Sequence, residues 1–459
     1  MKKSCCLALC LAFFTTSFLS AQSPNDTVFL RRLSQEILRH GKAYDWLREL
    51  TKGIGGRLAG SANFTRAVAW GEEKMKEAGA EKVWLQACLM PHWDRGGKDQ
   101  ASIVRVDGKK TTIELDVLAL GNSLGTEKPV QAEVLAVADY AELEAKKDQV
   151  KGKIVYYNYG FDPGQLDPRK SYGLSGAYRR SGASRAAKYG AVGIMIRTLT
   201  ESVANNPHTG GMSYVDSLPK IPAIAIGPRD ADQVWEMSRN SSLVVKMHTH
   251  GKFLPDAPGH NVIGEWVGTE HPDQFITIGG HLDSWDVNEG AHDDGAGVVH
   301  TLEILRALKA LGYKPKHSIR FVLFANEENG LRGGNKYAEE AKAKNEKHIF
   351  ALESDEGGFA PQGFGFTAKP DQMAKIQTWL PYLSPFGTDV LEKTGGGADI
   401  GPLNRLLGTT LAGFVPDPHK YFDHHHARSD VFENVNKREL LLGAVNMAAL
   451  IYLVDQYGL

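Results

Sequence analysis

The chain has 459 residues, and 53 Lys and Arg stand against 54 Asp and Glu, for a net charge of −1. That balance argues against a nucleic-acid partner or an acidic surface as partner. At 42% hydrophobic and 23% charged residues the composition is ordinary globular, and the length suggests two or three domains.

Residues 1–21 read as a secretory signal: Lys2 and Lys3, an apolar stretch from Cys5 to Phe14, then Ser20-Ala21 as a cleavage site. The expected location is therefore secreted or periplasmic. Cys5, Cys6 and Cys10 leave with the signal, so the mature chain keeps only Cys88 and forms no intramolecular disulfide. Cys88 reads as a core residue rather than a nucleophile. No later segment reaches the apolar length of a membrane span; the closest, Met447–Val454, is short and lies in a C-terminal helix expected to be amphipathic.

Thr27–His40 and Ala43–Leu50 read as short helices. Phe64, Ala67, Val68, Gly71, Met75 and Ala78 recur at helical spacing, with Asn63 as the expected cap and Gly79 as the stop. Polar, turn-rich sequence follows to Gly108, then a strand over Thr111–Leu120. Residues 22–120 are taken together as the N-terminal part of a catalytic domain, and Gly121–Lys128 as a linker.

Residues 121–252 read as an inserted β-rich domain. Val130–Val137, Lys153–Asn158, Val192–Ile196 and Ile221–Ile226 are short β-branched runs, with small helices at Ser184–Tyr189 and Asp230–Arg239. His208, His248 and His250 read there as surface or loop histidines. Residues 253–459 alternate strand (Phe275–Gly279, Ile319–Ala325, Ile349–Glu353, Thr410–Phe414) with helix (Thr301–Leu311, Asn436–Tyr457). That alternation indicates an α/β fold with a largely parallel sheet, in which ligands gather at the carboxyl ends of the strands.

The acidic and histidine motifs fall at those ends. His281 offers a neutral imidazole, and Asp283 is placed to accept its other ring N–H. Asp293 and Asp294 open a helix: Asp alone would cap it, but two adjacent carboxylates repel unless a cation sits between them. Asp293 is assigned as a bridging ligand and Asp294 as cap or support. Glu327-Glu328 ends a strand whose only charged residue is Arg320, with Glu327 as proton acceptor and Glu328 as ligand. In Ala351–Asp355, Asp355 is the ligand and Glu353 faces a core partner. Tyr421–Asp430 holds three consecutive imidazoles; an H-x-x-x-D spacing selects His426, with Asp430 as its orienter and His425 as the alternative. Two histidines and three carboxylates suit Zn²⁺, with Mn²⁺ or Co²⁺ as substitutes. Taken singly, each motif has an ordinary reading as a loop, a cap, an acidic surface pair or a His run; their succession does not.

In this order the motifs resemble the M28 family of metallopeptidases. His281–Asp286 with Gly290–Gly297 is most similar to its carboxypeptidase Q branch, and Arg57–Ser61 to the start of the family's catalytic domain. Lys151–Val155, Ala186–Ile196 and Lys220–Ile224 resemble a protease-associated domain. The resemblance implies a mixed sheet between helices, the inserted domain as a lid, two Zn²⁺, a short peptide substrate cut to single residues or dipeptides, and often a homodimer. It assigns His281, Asp293 and Asp355 to one metal and Asp293, Glu328 and His426 to the other. Glu327 is then the base, with Asp283 beside it in the catalytic set. The alternative activity is an aminopeptidase. An M20-type amidohydrolase would carry its extra domain after the acidic pair, a single-zinc glutaminyl cyclase would not need all five ligands, and a non-catalytic receptor would have lost some. The loop Thr394–Asp399 is the expected wall of a specificity pocket.

Overall fold

The computed structural model describes residues 24–459, so the signal expected at 1–21 lies outside the described residues. Two eight-stranded sheets carry the chain. In the first, His317–Phe324, His271–His281, Lys347–Glu353 and Thr410–Pro416 pair in parallel, in that order. Lys82–Asp94 and Lys252–Trp266 add antiparallel strands on one side, and Pro361–Thr367 on the other. The fold class is thus the expected one, a mixed sheet with a parallel centre. His317–Phe324 and Thr410–Pro416 are buried at every residue, as strands covered on both faces must be.

The covering helices follow from their sequences. On one face Ala62–Ala78, Ala296–Ala310 and Lys437–Tyr457 pack into the largest apolar cluster; on the other lie Arg332–Ala343 and Gly401–Leu407. Ser61, not Asn63, caps the 62–78 helix, its Oγ accepting from Phe64 N at 3.1 Å. Asn63 instead donates to the carbonyls of Ile54 and Gly56, tying the helix to the preceding loop. The helix stops at Gly79, whose φ of 102° suits glycine. Lys437–Tyr457 is capped by Asn436 and is not amphipathic. It is long and apolar enough to cross a membrane, yet 83% of its apolar window is buried inside the fold. Each fully buried Leu, Ile or Val there contributes roughly 1.5–3 kcal/mol.

The second sheet runs in the order Lys109–Leu115, Gln100–Val106, Leu243–His248, Val130–Val137, Ile154–Tyr157, Gly193–Arg197, Ala223–Ile226, Val117–Ala119. Strands from Gln100 onward therefore lie in this layer, ahead of residue 121 where the sequence suggests a boundary. The polar 100–115 hairpin turns at Asp107-Gly108, and its half-exposed faces hide its β character. The helix expected at Ser184–Tyr189 starts much earlier and runs over Pro168–Ala187, capped by Asp167, whose carboxylate accepts from Arg169 N at 3.0 Å. Its serines and glycines mask the periodicity. This helix brings Arg169, Tyr172, Arg179 and Arg180 to the carboxyl ends of the first sheet.

Candidate metal centre

His281 is the last residue of its strand, Glu327 and Glu328 follow the neighbouring strand, Asp355 lies just past the third, and His426 sits in the segment after the fourth. Asp293 comes from the turn Ala291–Gly295 leading into the 296–310 helix. All five expected ligands meet. His281 Nε2 stands 3.1 Å from Asp293 Oδ1 and 3.1 Å from Asp355 Oδ1. His426 Nε2 stands 3.2 Å from Asp293 Oδ2 and 3.1 Å from Glu328 Oε2. Asp293 thus turns one oxygen to each trio, the arrangement of a bridging carboxylate.

His425 is the next candidate, with Nε2 3.7 Å from Asp293 Oδ2 and its ring stacked on that of His426 at 3.6 Å. Ligand atoms of Asp293, His425 and His426 all lie within 4.8 Å of one another. The contact to Glu328 belongs to His426 alone, which favours His426 as the ligand.

Several supporting roles differ from those the spacing suggests. His281 Nδ1 donates to the backbone carbonyl of Asp283 at 3.0 Å, leaving Nε2 for a metal; the Asp283 carboxylate lies 3.6 Å away. That carboxylate instead accepts from Glu327 N at 3.0 Å and Glu328 N at 3.3 Å, fixing the acidic pair. Asp430 does not orient His426. It accepts from the backbone N–H groups of Ala291, His292 and Asp293 and so holds the turn that carries Asp293. A sequence spacing reports side chains, and these partners are backbone. Asp294 precedes Gly295, the N-cap residue of the 296–310 helix, and its carboxylate accepts from Gly297 N and His281 N at 2.9 Å each, tying the helix start to the end of the His281 strand. The Asp293-Asp294 peptide bond is cis. Glu353 accepts from the N–H groups of Asp399 and Ile400.

The electrostatics fit a pair of cations. Burial pulls the His426 pKa down, but Glu328 and Asp293 override it and lift it to about 10. His281 behaves alike: burial is outweighed by Asp355, Asp283 and Asp293, and its pKa lies well above the usual histidine range. For Asp293 burial is outweighed by His281 and His426, which hold it ionised. Burial, then Asp293, pushes Glu328 up to about 7, and burial first of all keeps Glu327 well above the carboxylate range. Imidazolium protons thus stand where divalent cations would sit among surplus carboxylates. Glu328 Oε1 is buried without a hydrogen-bond partner, as a waiting ligand atom would be.

Beside these residues lies a 550 Å³ cavity bounded on its far side by Arg179, Arg180 and Tyr172 of the second layer. Arg179 is buried; its Nη1 is 3.3 Å from His426 Nδ1, its Nη2 donates to the Tyr172 hydroxyl at 2.7 Å, and its Nε has no partner. A side cavity of 240 Å³ is lined by Thr394–Ala398, the loop expected to border a pocket, and by Glu356. His208, expected as a surface or loop histidine, lies in a loop but is buried beside the His424–His426 turn. Arg57 was not singled out as functional by its motif. It is wholly buried and donates to the carbonyls of Leu282, Glu289 and Gly290, holding the loop between His281 and Asp293.

Residues 261–451 match Peptidase family M28. Carboxypeptidase Q of Xenopus laevis is 36% identical over 401 residues, covering 86% of this chain and 82% of that protein. The chain belongs to peptidase family M28. Carboxypeptidase Q of Homo sapiens is 33% identical over 415 residues, covering 90% and 85%. A crystal structure of an M28 peptidase precursor from Shewanella amazonensis superposes with a TM-score of 0.89 at 31% identity, covering 94% of this chain and 97% of that one. A zinc aminopeptidase from Bacillus subtilis shares the fold at a TM-score of 0.65 and 20% identity, covering 90% and 95%. As an M28 protein the chain is a peptidase, a hydrolase of peptide bonds, and its relatives support a metallo-exopeptidase activity.

Proposed function

We propose that the chain is a secreted exopeptidase that uses two zinc ions to cleave dipeptides or short peptides and reads the free carboxyl end of its substrate. The observation that carries the two-metal reading is Asp293 dividing its oxygens between two trios of ligands. His281 and Asp355 would hold one ion with Asp293, and Glu328 and His426 the other. When bound, the ions supply Lewis-acid polarisation of the scissile carbonyl and acidify a water. Glu327 lines the cavity beside these ligands, its main chain fixed by Asp283. Its carboxylate takes the proton of the attacking water and returns it to the leaving amine nitrogen.

Arg179 and Arg180 support a carboxyl-end reading. Among the described residues neither guanidinium has a carboxylate at ion-pair distance, whereas Arg169 beside them pairs with Asp167 and Glu392. The buried Arg179 guanidinium, with no anion beside it, is a ready partner for a substrate carboxylate, and the exposed Arg180 lines the same cavity. The carboxypeptidase Q relatives point the same way by name. An aminopeptidase is the second reading, favoured by Glu356, whose Oε2 at the cavity wall is buried without a hydrogen bond, 3.8 Å from Arg169 Nη1, and would accept an ammonium group. Export by a signal within residues 1–21, a protease-associated fold for the second layer and a homodimer belong to the same proposal.

A dipeptide panel with amino-acetylated and carboxyl-amidated members, assayed on zinc-reconstituted protein, tests it. Amidation is expected to slow turnover at least about tenfold more than acetylation, the loss of one charge-assisted contact. The reverse order selects the aminopeptidase, and no turnover of any member sinks both.

A further inference from the structure

The turn that carries His425 and His426 is held to a large extent from the other layer. Thr209 N donates to the His426 carbonyl at 3.0 Å, and His208 forms an antiparallel bridge with Ala427. Asn206 Nδ2 donates to Ser429 Oγ at 3.1 Å, and Arg428 pairs with Asp116 at 2.9 Å. The His208–Gly210 segment is itself anchored in its own layer: Thr198 Oγ1 accepts from His208 N at 2.6 Å, and Thr209 Oγ1 donates to the Ala119 carbonyl at 2.8 Å. Gly121 N completes the anchor by donating to the Gly210 carbonyl at 3.0 Å.

Two backbone conformations make these ties consequential. His426 has φ of 62°, a left-handed conformation that a residue with a β-carbon keeps only when its surroundings hold it there. Gly210 has φ of 125°, and a β-carbon on it would stand 2.5 Å from His426 Nδ1 and 2.6 Å from Arg179 Nη1. Gly210 therefore leaves the space that the ring of His426 and its neighbour occupy.

We infer that His208–Gly210 is a positioning element for His426, clamping its backbone and shaping the space for its ring. The second layer then builds one half of the metal site instead of merely covering the cavity. A lid that swung clear of the cavity would release His426 with it. The inference rests on the two-metal reading above.

Competition titration of zinc against a chromophoric chelator, on the full chain, reads both binding steps without reference to activity. Gly210→Ala is expected to weaken one step about 10- to 100-fold, the usual loss when the support of a ligand is removed, and to leave the other unchanged. Thr209→Val, which removes the tie to Ala119 and a long contact from Arg95 Nη2 at 3.5 Å, keeps the test alive if Gly210→Ala does not fold, and is expected to weaken the same step. Tyr156→Phe is the control: it deletes hydrogen bonds to Asn158 and Ala231 in the same layer, neither of them a partner of the turn, and should alter neither step. Both zinc steps unweakened in Gly210→Ala and Thr209→Val, or weakened equally by Tyr156→Phe, overturn the clamp while leaving two metals in place. A wild-type chain that binds a single zinc brings down the two-metal reading and the clamp with it.

Discussion

Around His281 and Asp355, the ligands leave directly from the ends of parallel strands buried on both faces. Around Glu328 and His426, they leave from turns that contain left-handed residues, Asn326 and His426, each with φ of 62°. Beyond the sheet, the first half draws on Arg57 and Asp430, which hold the loop and turn leading to Asp293; the second needs the Asp283 carboxylate under Glu327-Glu328 and the second layer against His426. On the two-metal proposal, one metal position would thus be a product of the α/β fold and the other of contacts between layers.

The largest effect should fall on neither half. Glu327→Gln is expected to lower kcat about 10²- to 10⁴-fold while both zinc ions stay bound, read by steady-state kinetics beside metal analysis. Full activity in that variant removes Glu327 as base, and loss of zinc places it among the ligands.

Next comes Arg57→Ala, on the strand-built side. It leaves three loop carbonyls without their donor, and a loss of about 3 kcal/mol or more in urea unfolding is expected. A variant as stable as the parent would mean that the loop between His281 and Asp293 stands without it. Arg180→Ala, on the layer-contact side, should raise KM about tenfold for free dipeptides and leave amidated ones unchanged. An equal change for both substrates would discard its role in reading a carboxylate.

A smaller effect separates the metal-free from the loaded protein. The His426 pKa is raised to about 10, so its pairing with Glu328 and Asp293 stabilises the metal-free fold fully below the ordinary histidine pKa and is lost as pH rises through about 10. Zinc has to displace that proton. Calorimetry at pH 8 in buffers of different ionisation enthalpy should therefore show proton release, and zinc should bind more tightly as pH rises toward 10. Binding without proton release would mean that His426 is not a ligand.

Much of the strand-built half was legible in the sequence. Apolar runs fixed the ends of the strands, and His281, Asp293 and Asp355 fall beside them where the fold needs them; Glu328 of the other half was legible for the same reason, following the strand His317–Phe324. Less visible was whatever depends on backbone partners or on two layers meeting. Asp283 and Asp430 are engaged by N–H groups, so the spacing that singled them out did not reveal what they hold. Arg179 and His208 lie in segments whose local pattern is unremarkable, and they matter only because the second sheet docks there. The 168–187 helix went largely unseen because Ser and Gly occupy the face where apolar residues would mark the turn period.

Anomalous diffraction at the zinc edge, from crystals grown with zinc, tests the division of the site most directly. Two peaks are expected about 3.5–4 Å apart, one against His281 and Asp355, the other against Glu328 and His426, with Asp293 between them. A single peak, or a second one bound by His425 with His426 turned away, would contradict it.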